Sequence, residues 1–285
     1  MKSTEKITKA MKVVSAARMR RAQGAILSSR PFAAKMEEAV RELALMEVAA
    51  DLQAGREVQI HPFFDQRAAG KEALVLVTGD KGLCGSFNAN AIRAAVDWLR
   101  RRRGEALALA AVGKKGRDFV HRLRGDGPEL LIELAAIFPK VTFAHAELLG
   151  KALIDAYLEG RLAKVTVIYN EFKSIALQRV IEKQLLPIPV PEGGQANAGE
   201  GMTFEPGREE LLAALLPRYL KAQLYRILLE SQAAELAARM NAMDAASKNA
   251  KELIGAITLK LNRTRQAIIT NEIAELVGGA EALAN

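Results

Sequence analysis

The sequence predicts an α/β protein in which the N- and C-terminal helices form a long antiparallel two-helix coiled coil beside a central Rossmann-like α/β domain. Near both ends of the chain, apolar residues repeat at alternating spacings of three and four, the heptad pattern of a coiled coil. Between the ends, short apolar runs alternate with helical segments, which is typical of a largely parallel sheet with helical crossovers. With 285 residues, half of them hydrophobic, the chain can bury one or two cores.

The first expected element is an N-terminal coiled-coil helix over residues 1–55. Its predicted seam consists of Ile7, Met11, Val14, Phe32, Met36, Ala39, Leu43, Met46 and Ala50. Pro31 interrupts this segment, and proline either kinks a helix or opens a new one. The first 30 residues carry eight lysine and arginine side chains against Glu5 alone, a local charge of +7 in a chain whose net charge is +8. A helix this basic predicts acidic partners beside it.

The central α/β domain is expected over residues 70–190. Its predicted strands lie at 72–78, 105–112, 129–136 and 163–170, with one more strand after a turn near 170–173. Its predicted helices lie at 88–103, with Asn88 as the residue that opens the helix, at 114–123 and at 143–159. Because only a short turn separates the last two strands, we expect them to pair antiparallel.

The last expected elements are a flexible loop over residues 191–207, rich in glycine and proline, and a C-terminal coiled-coil helix over residues 208–285. At about 1.5 Å per residue, the part of this helix from Pro217 to Val277 would be roughly 90 Å long. Its predicted seam consists of Leu236, Met240, Met243, Ser247, Ala250, Ile254, Ile257 and Leu261. Two seamed helices at opposite ends of one chain can cover each other, and an antiparallel pair is the simplest arrangement.

The segment TGDKGLCGSFN, residues 78–88, follows a predicted strand and precedes a predicted helix, which is where phosphate-binding loops occur. Its glycines at 79, 82 and 85 are three residues apart, which fits neither the nucleotide-hydrolase pattern nor the dinucleotide fingerprint. The favoured interpretation is a tight turn that lets the helix approach the sheet. The alternative is a small-molecule enzyme with a ligand at Gly79–Ser86, which mutation of Lys81 would test.

Other residues with chemical potential are isolated along the sequence. His61, His121 and His145 have no cysteine or acidic companion at the spacing of metal ligands, and Cys84 has no nearby histidine. We therefore predict no catalytic residue, no cofactor site and no metal site. A single cysteine also excludes an internal disulfide, and no apolar run approaches the ~20 residues that span a bilayer.

Nucleic acid is an alternative partner for the basic first helix. A base-reading module is not recognisable in the sequence, and aromatic residues for stacking make up only 5% of the chain. The basic residues also lie on a helix that has its own apolar seam. A nucleic-acid-binding coiled coil would require an affinity that falls steeply with salt.

Four segments together resemble the γ subunit of F-type ATP synthase. They are ITKAMKVVSAARMRRAQ at 7–23, TGDKGLCGSFNAN at 78–90, VGKKGRDF at 112–119 and the tail from LLPRYLKAQ to ELVGGA at 215–280. The resemblance covers nearly the whole chain. It implies a central-stalk rotor that transmits torque between the proton-driven c-ring and the catalytic ring of α and β subunits, and so couples proton transport to ATP synthesis or hydrolysis. It also implies a non-catalytic subunit that contacts the α, β and ε subunits and the c-ring, peripheral to the cytoplasmic face of the bacterial inner membrane.

The same resemblance implies two levels of contact with β subunits. The lower level maps onto Met11, Lys12 and Arg239, and the upper level onto Arg265, Gln266, Thr270 and Glu272. Phe204 and Glu205 map onto the side that faces the c-ring and the ε subunit. Members of the family usually carry about a dozen further residues before Lys2, so the first helix of this sequence would end lower in the ring. Either the start of the natural chain lies farther upstream, or one layer of the shaft is a single helix. Leu236 stands where the family commonly has a polar residue or histidine.

Overall fold

The computed structural model describes residues 1–55, 60–67, 69–123, 127–138, 140–189 and 207–284. In chain order its elements are α1 (Lys2–Gln53), β1 (Lys71–Val77), α2 (Phe87–Arg101), β2 (Leu107–Val112), α3 (Lys114–Val120), β3 (Glu129–Leu134), α4 (Phe143–Leu158), β4 (Leu162–Phe172), β5 (Gln178–Leu186) and α5 (Arg208–Ala284). The predicted fold class is confirmed, and every predicted strand and helix of the central domain is present.

The five strands form one sheet in the order β3-β2-β1-β4-β5. β1 runs parallel to β2 and to β4, and β2 runs parallel to β3. β5 is antiparallel to β4, as the short turn between them predicts. Residues 73–77 of β1 are fully buried because helices cover both faces of the sheet, which is the usual environment of a central parallel strand.

The two terminal helices, α1 with 52 residues and α5 with 77, form the expected antiparallel pair. Two ion pairs define the direction of this pairing. Lys12 near the start of α1 meets Asp244 far along α5, whereas Glu47 near the end of α1 meets Arg208 at the start of α5. Pro31 lies inside α1, and α5 likewise continues through its own proline, so neither residue ends its helix.

From the start of α1 to about residue 40, the predicted seam differs by one residue from the buried positions. The buried positions are Thr8, Ser15, Met19, Ala22, Ile26, Ala33 and Val40. The predicted Ile7 and Phe32 are 56% and 63% exposed, and Val14 is exposed as well. Small side chains such as Ala22 let two helix backbones approach closely, so they form the contact although larger apolar residues lie beside them. Farther along, Leu43 and Met46 are buried as predicted.

Along α5 the predicted seam is correct in its first half only. Leu236, Met243 and Ala250 are buried against the rest of the protein. Beyond them, Ile254 is half-buried, and Ile257 and Leu261 are exposed. Residues 251–280 are otherwise exposed on every face, so that about 45 Å of α5 extends alone.

The earlier part of α5 is enclosed by the domain. Residues 227–237 are buried on all faces, because α1 packs on one side and β4 and α4 pack on the others. Gly150 of α4 allows the close approach: a Cβ atom there would lie 2.8 Å from Cγ of Lys221. The helix that extends from the protein is therefore anchored along several turns inside it.

Candidate functional site

The carboxyl-terminal edge of the sheet has a crevice between β1 and β4, where the strand order reverses, and open α/β sheets usually bind their ligands there. In this protein α5 occupies the crevice. Ala234 packs against Cys84 and Phe87 of the loop that follows β1. Glu235 lies beside Gly79, where an added Cβ atom would be 3.2 Å from its Oε1 atom. The chain itself thus fills the position of a ligand, which agrees with the interpretation of residues 78–88 as a tight turn.

Hydrogen bonds within the loop fix its shape. Oδ1 of Asn88 accepts the backbone N–H of Gly79 at 2.8 Å, and Nδ2 of Asn88 donates to the carbonyl oxygen of Lys81 at 3.1 Å. The prediction that Asn88 opens α2 is therefore wrong. The helix begins at Phe87 with Ser86 as its N-cap, and Asn88 instead ties the two ends of the loop together.

Asp80 joins this loop to two neighbouring strand ends. Its carboxylate accepts backbone N–H groups from Lys114 at 2.9 Å, Ala136 at 2.8 Å and Phe138 at 2.8 Å. Because this carboxylate accepts three backbone hydrogen bonds, its role is to hold the loop and the two strand ends together. The sequence analysis missed this role, although an acidic residue in the loop after a buried strand is a signal that could have indicated it.

Arg239 connects the loop to α5. Its guanidinium donates to both carboxylate oxygens of Glu235, at 2.5 and 2.8 Å, and to the carbonyl oxygen of Gly82 at 3.2 Å. Burial raises the pKa of Glu235, and the charge of Arg239 opposes that rise. Arg239 maps onto the lower level of β contacts, and most of its side chain is buried in this intramolecular pair. A contact between Arg239 and a β subunit stays a prediction.

The other two residues of the lower level lie on α1. Met11 is half-buried beside α5. Nζ of Lys12 lies 2.6 Å from Oδ1 of Asp244, whose second oxygen is 3.1 Å from Nζ of Lys248. Hydrogen bonds from Lys12 and Lys248 hold the pKa of Asp244 below its usual value.

Replacing Lys12 by methionine is expected to raise the pKa of Asp244 towards that of a free aspartate, because the strongest hydrogen bond to its ionised form is lost. In the wild type, the small stabilisation from this group is present above the pKa of the unfolded chain and is lost as the pH falls through the folded value. Carboxyl carbon shifts of Asp244 followed by NMR between pH 2 and 6 would measure the change. Lys9→Met, in an exposed position on the same helix, is the control and should leave that titration unchanged.

The upper level lies on the part of α5 that extends alone. Arg265, Gln266, Thr270 and Glu272 are all exposed, and Oγ1 of Thr270 donates to the backbone carbonyl of Gln266 at 2.8 Å. A shallow groove on this helix is lined by Ile257, Lys260, Leu261, Thr264, Arg265, Ile268, Ile269 and Glu272. The 26 residues from Arg239 to Arg265 span roughly 40 Å, so the two levels are well separated.

The basic side chains of α1 face solvent. Lys2, Lys6, Lys9, Arg18, Arg20, Arg21 and Arg30 are exposed. Within the part of the chain that the structure describes, Lys12 is the one member of this basic group that forms an ion pair. The surface next to α1 is therefore positively charged and open to an acidic partner.

Three further features were considered in the sequence: the pair Phe204 and Glu205, metal ligands and membrane-spanning segments. Phe204 and Glu205 lie outside the described residues. Among the residues with described positions, no three His, Cys, Asp or Glu side chains are placed to hold a metal ion. In those same ranges, no helix has both the length and the apolar character needed to cross a membrane.

Comparison with known proteins gives a consistent family. The family described as ATP synthase matches residues 1–283. The ATP synthase gamma chain of Elusimicrobium minutum (strain Pei191) is 42% identical over 289 residues, covering 99% of this chain and 95% of that protein. The ATP synthase gamma chain of Geotalea daltonii (strain DSM 22248 / JCM 15807 / FRC-32) is 40% identical over 285 residues, with the same coverage.

Solved structures agree with the sequence relatives. A chain from the cryo-EM structure of the Tetrahymena thermophila mitochondrial ATP synthase central stalk and c-ring has a TM-score of 0.62 and 27% identity, covering 85% of this chain and 99% of that one. A chain of the Euglena gracilis mitochondrial ATP synthase shares the fold, with a TM-score of 0.55, 16% identity, and coverage of 94% and 95%. The chain belongs to the ATP synthase gamma chain family.

Proposed function

We propose that this chain is the rotating shaft that transmits torque between a proton-driven c-ring and the catalytic ring of α and β subunits. The observation that carries the proposal is the end of α5, where about thirty residues extend as a single helix with apolar side chains exposed. Large exposed apolar patches mark protein interaction sites. A surrounding ring of subunits would cover such a helix on all faces.

The rest of the fold suits the transmission of torque. A rod that turns under load must be held firmly at one end, and residues 227–237 of α5 are buried on every face within the domain. Above that region, α1 packs along α5 to form a two-helix rod, which resists twisting better than one helix. The domain can thus turn α5 without slipping around it.

The proposed partners follow from the surfaces. The basic side of α1, with Lys12, Met11 and nearby Arg239, would meet acidic segments of β subunits at the lower level. Arg265 and Gln266, with Thr270 and Glu272, would contact β subunits at the upper level. The α/β domain and residues 204–205 would face the ε subunit and the c-ring, at the cytoplasmic side of the bacterial inner membrane. In this arrangement the chain is non-catalytic, and nucleotide chemistry belongs to the α and β subunits.

Reconstitution with α and β subunits tests the proposal. We expect the full chain to join a ring of these subunits and to rotate in steps during ATP hydrolysis, observed with a bead attached to the α/β domain through Lys151→Cys. The same complex supplied with no ATP is the control, and its bead should show no stepwise rotation. Failure of the chain to stay in the ring, or hydrolysis with a stationary bead, would contradict the function.

A further inference from the structure

The described residues leave a groove where α1, β5 and α5 meet, away from the crevice and from the exposed end of α5. Its volume is about 420 Å³. Val40, Ala44, Phe64, Leu185, Ile188, Pro189 and Leu220 form an apolar floor, and Glu37, Arg41, Lys183, Gln184, Tyr219 and Gln223 supply the polar groups. Pockets that bind small molecules typically combine an apolar lining with a few polar groups in this way.

Lys183 is the most informative residue of this groove. Its side chain is half-buried, and Nζ donates a hydrogen bond to Oε1 of Gln223 at 3.2 Å. Among the described residues, Lys183 has no carboxylate within ion-pairing distance, although Glu37 lines the same groove. Burial and the nearby charge of Arg226 lower the pKa of this amine, and the charges of Glu37, Glu230 and Glu171 oppose part of that shift. A partly buried cation with a neutral amide as partner gains most from an anion.

The neighbouring polar groups define the charge that fits. Among the residues that line the groove, Lys183 and Arg41 contribute two positive charges and Glu37 one negative charge, a net charge of +1 on the lining. Burial and the charge of Glu37 raise the pKa of Tyr219 to about 12, so its hydroxyl keeps its proton and can donate a hydrogen bond. These groups suit a single anionic head, and the apolar floor suits an aliphatic chain.

We propose that the groove binds a free fatty-acid anion, with its carboxylate at Lys183 and Arg41 and its alkyl chain on the floor formed by α1, β5 and α5. The groove volume of about 420 Å³ equals that of about fourteen water molecules at roughly 30 Å³ each, which is room for the twelve heavy atoms of a ten-carbon fatty acid. A cationic amphiphile would meet two like charges in this groove, and an uncharged one would leave Lys183 without an ionic partner.

Calorimetric titration of the full chain with decanoate, below its micelle concentration, tests this site. We expect saturable binding of one decanoate per chain, and at least tenfold weaker binding of decanol, which has the same alkyl chain without the charge. Lys183→Met keeps the apolar stem and removes the amine, so it should weaken decanoate binding at least tenfold and leave decanol binding unchanged. Lys151→Met, the same substitution at an exposed lysine of α4, should not change either affinity.

Two further measurements keep the proposal falsifiable if Lys183→Met folds poorly. Arg41 is exposed on α1, so Arg41→Met should leave the fold intact and weaken decanoate binding about threefold. The carboxyl carbon signal of ¹³C-labelled decanoate should shift on binding to the wild-type chain and return towards its free position with Arg41→Met. Equal affinity for decanoate and decanol, absence of binding, or decanoate binding that neither substitution weakens would overturn the proposal.

Discussion

Replacing Glu235 by alanine is expected to lower the free energy of unfolding by about 3–5 kcal/mol, the usual effect of removing one partner of a buried ion pair. Glu235 is 3% exposed, and both of its oxygens accept hydrogen bonds from Arg239. In the alanine variant, Arg239 keeps only the carbonyl oxygen of Gly82 as a partner, while most of its side chain remains buried. The space beside Gly79 is also left empty.

Glu235→Gln is the matched control for the effect of charge. Glutamine has the same shape and can still accept one hydrogen bond from Arg239, so we expect a smaller loss, about 1–3 kcal/mol. Urea denaturation of the full chain, followed by circular dichroism, would measure both variants. A loss below about 1 kcal/mol for Glu235→Ala would mean that this pair does not hold the loop to α5.

The pH dependence gives a second test of the same residue. Because burial raises the pKa of Glu235, the native state binds its proton more tightly than the unfolded chain does. Between the unfolded pKa, about 4.3, and the higher folded value, this group's contribution to stability therefore decreases as the pH rises. Glutamine does not titrate, so the Glu235→Gln variant should lack that part of the slope. An identical slope in both proteins would contradict the assigned shift.

The central domain could be predicted from sequence because its signals are local. Runs such as residues 73–77 are apolar throughout, and helices with clear turn residues separate these runs. The crevice could not be predicted, because its filling depends on contacts between distant residues. Arg239 and Gly82 are 157 positions apart, and no local pattern relates them. The glycine spacing of the loop indicated only that it does not match the two common phosphate-binding motifs.

The seam of α1 shows that a heptad period alone does not determine which residues of a helix are buried. The predicted heptad period is correct. Two lines of residues one position apart both fit this period, one through Ile7 and Val14 and the other through Thr8 and Ser15. Hydrophobicity favours the first line, and close packing of two backbones favours the second. The sequence predicts Ile7 and Val14 in the interior of the helix pair. Both are exposed, so they remain available for contact with other proteins.

The joint substitution Leu261→Asp and Ile268→Asp is expected to abolish stable assembly with α and β subunits. Both side chains line the groove at the exposed end of α5, where they are 60% and 52% exposed in the free chain. Burying each of them in a complex would contribute about 1.5–3 kcal/mol, and two aspartates would in addition place charges in an apolar contact. The combined loss, about 3–6 kcal/mol before the cost of the charges, corresponds to at least a hundredfold weaker association.

The same substitutions should leave the isolated chain intact, because the two side chains contact solvent there and make little contribution to its core. Equal urea midpoints for the wild type and the double variant would establish this point. Leu148→Asp with Leu158→Asp, two exposed leucines on α4, adds the same charges elsewhere and should still assemble with the ring. Loss of assembly in both variants would indicate a general effect of charge. Retention of assembly in the first variant would show that this end of α5 is not the surface that the ring of α and β subunits holds.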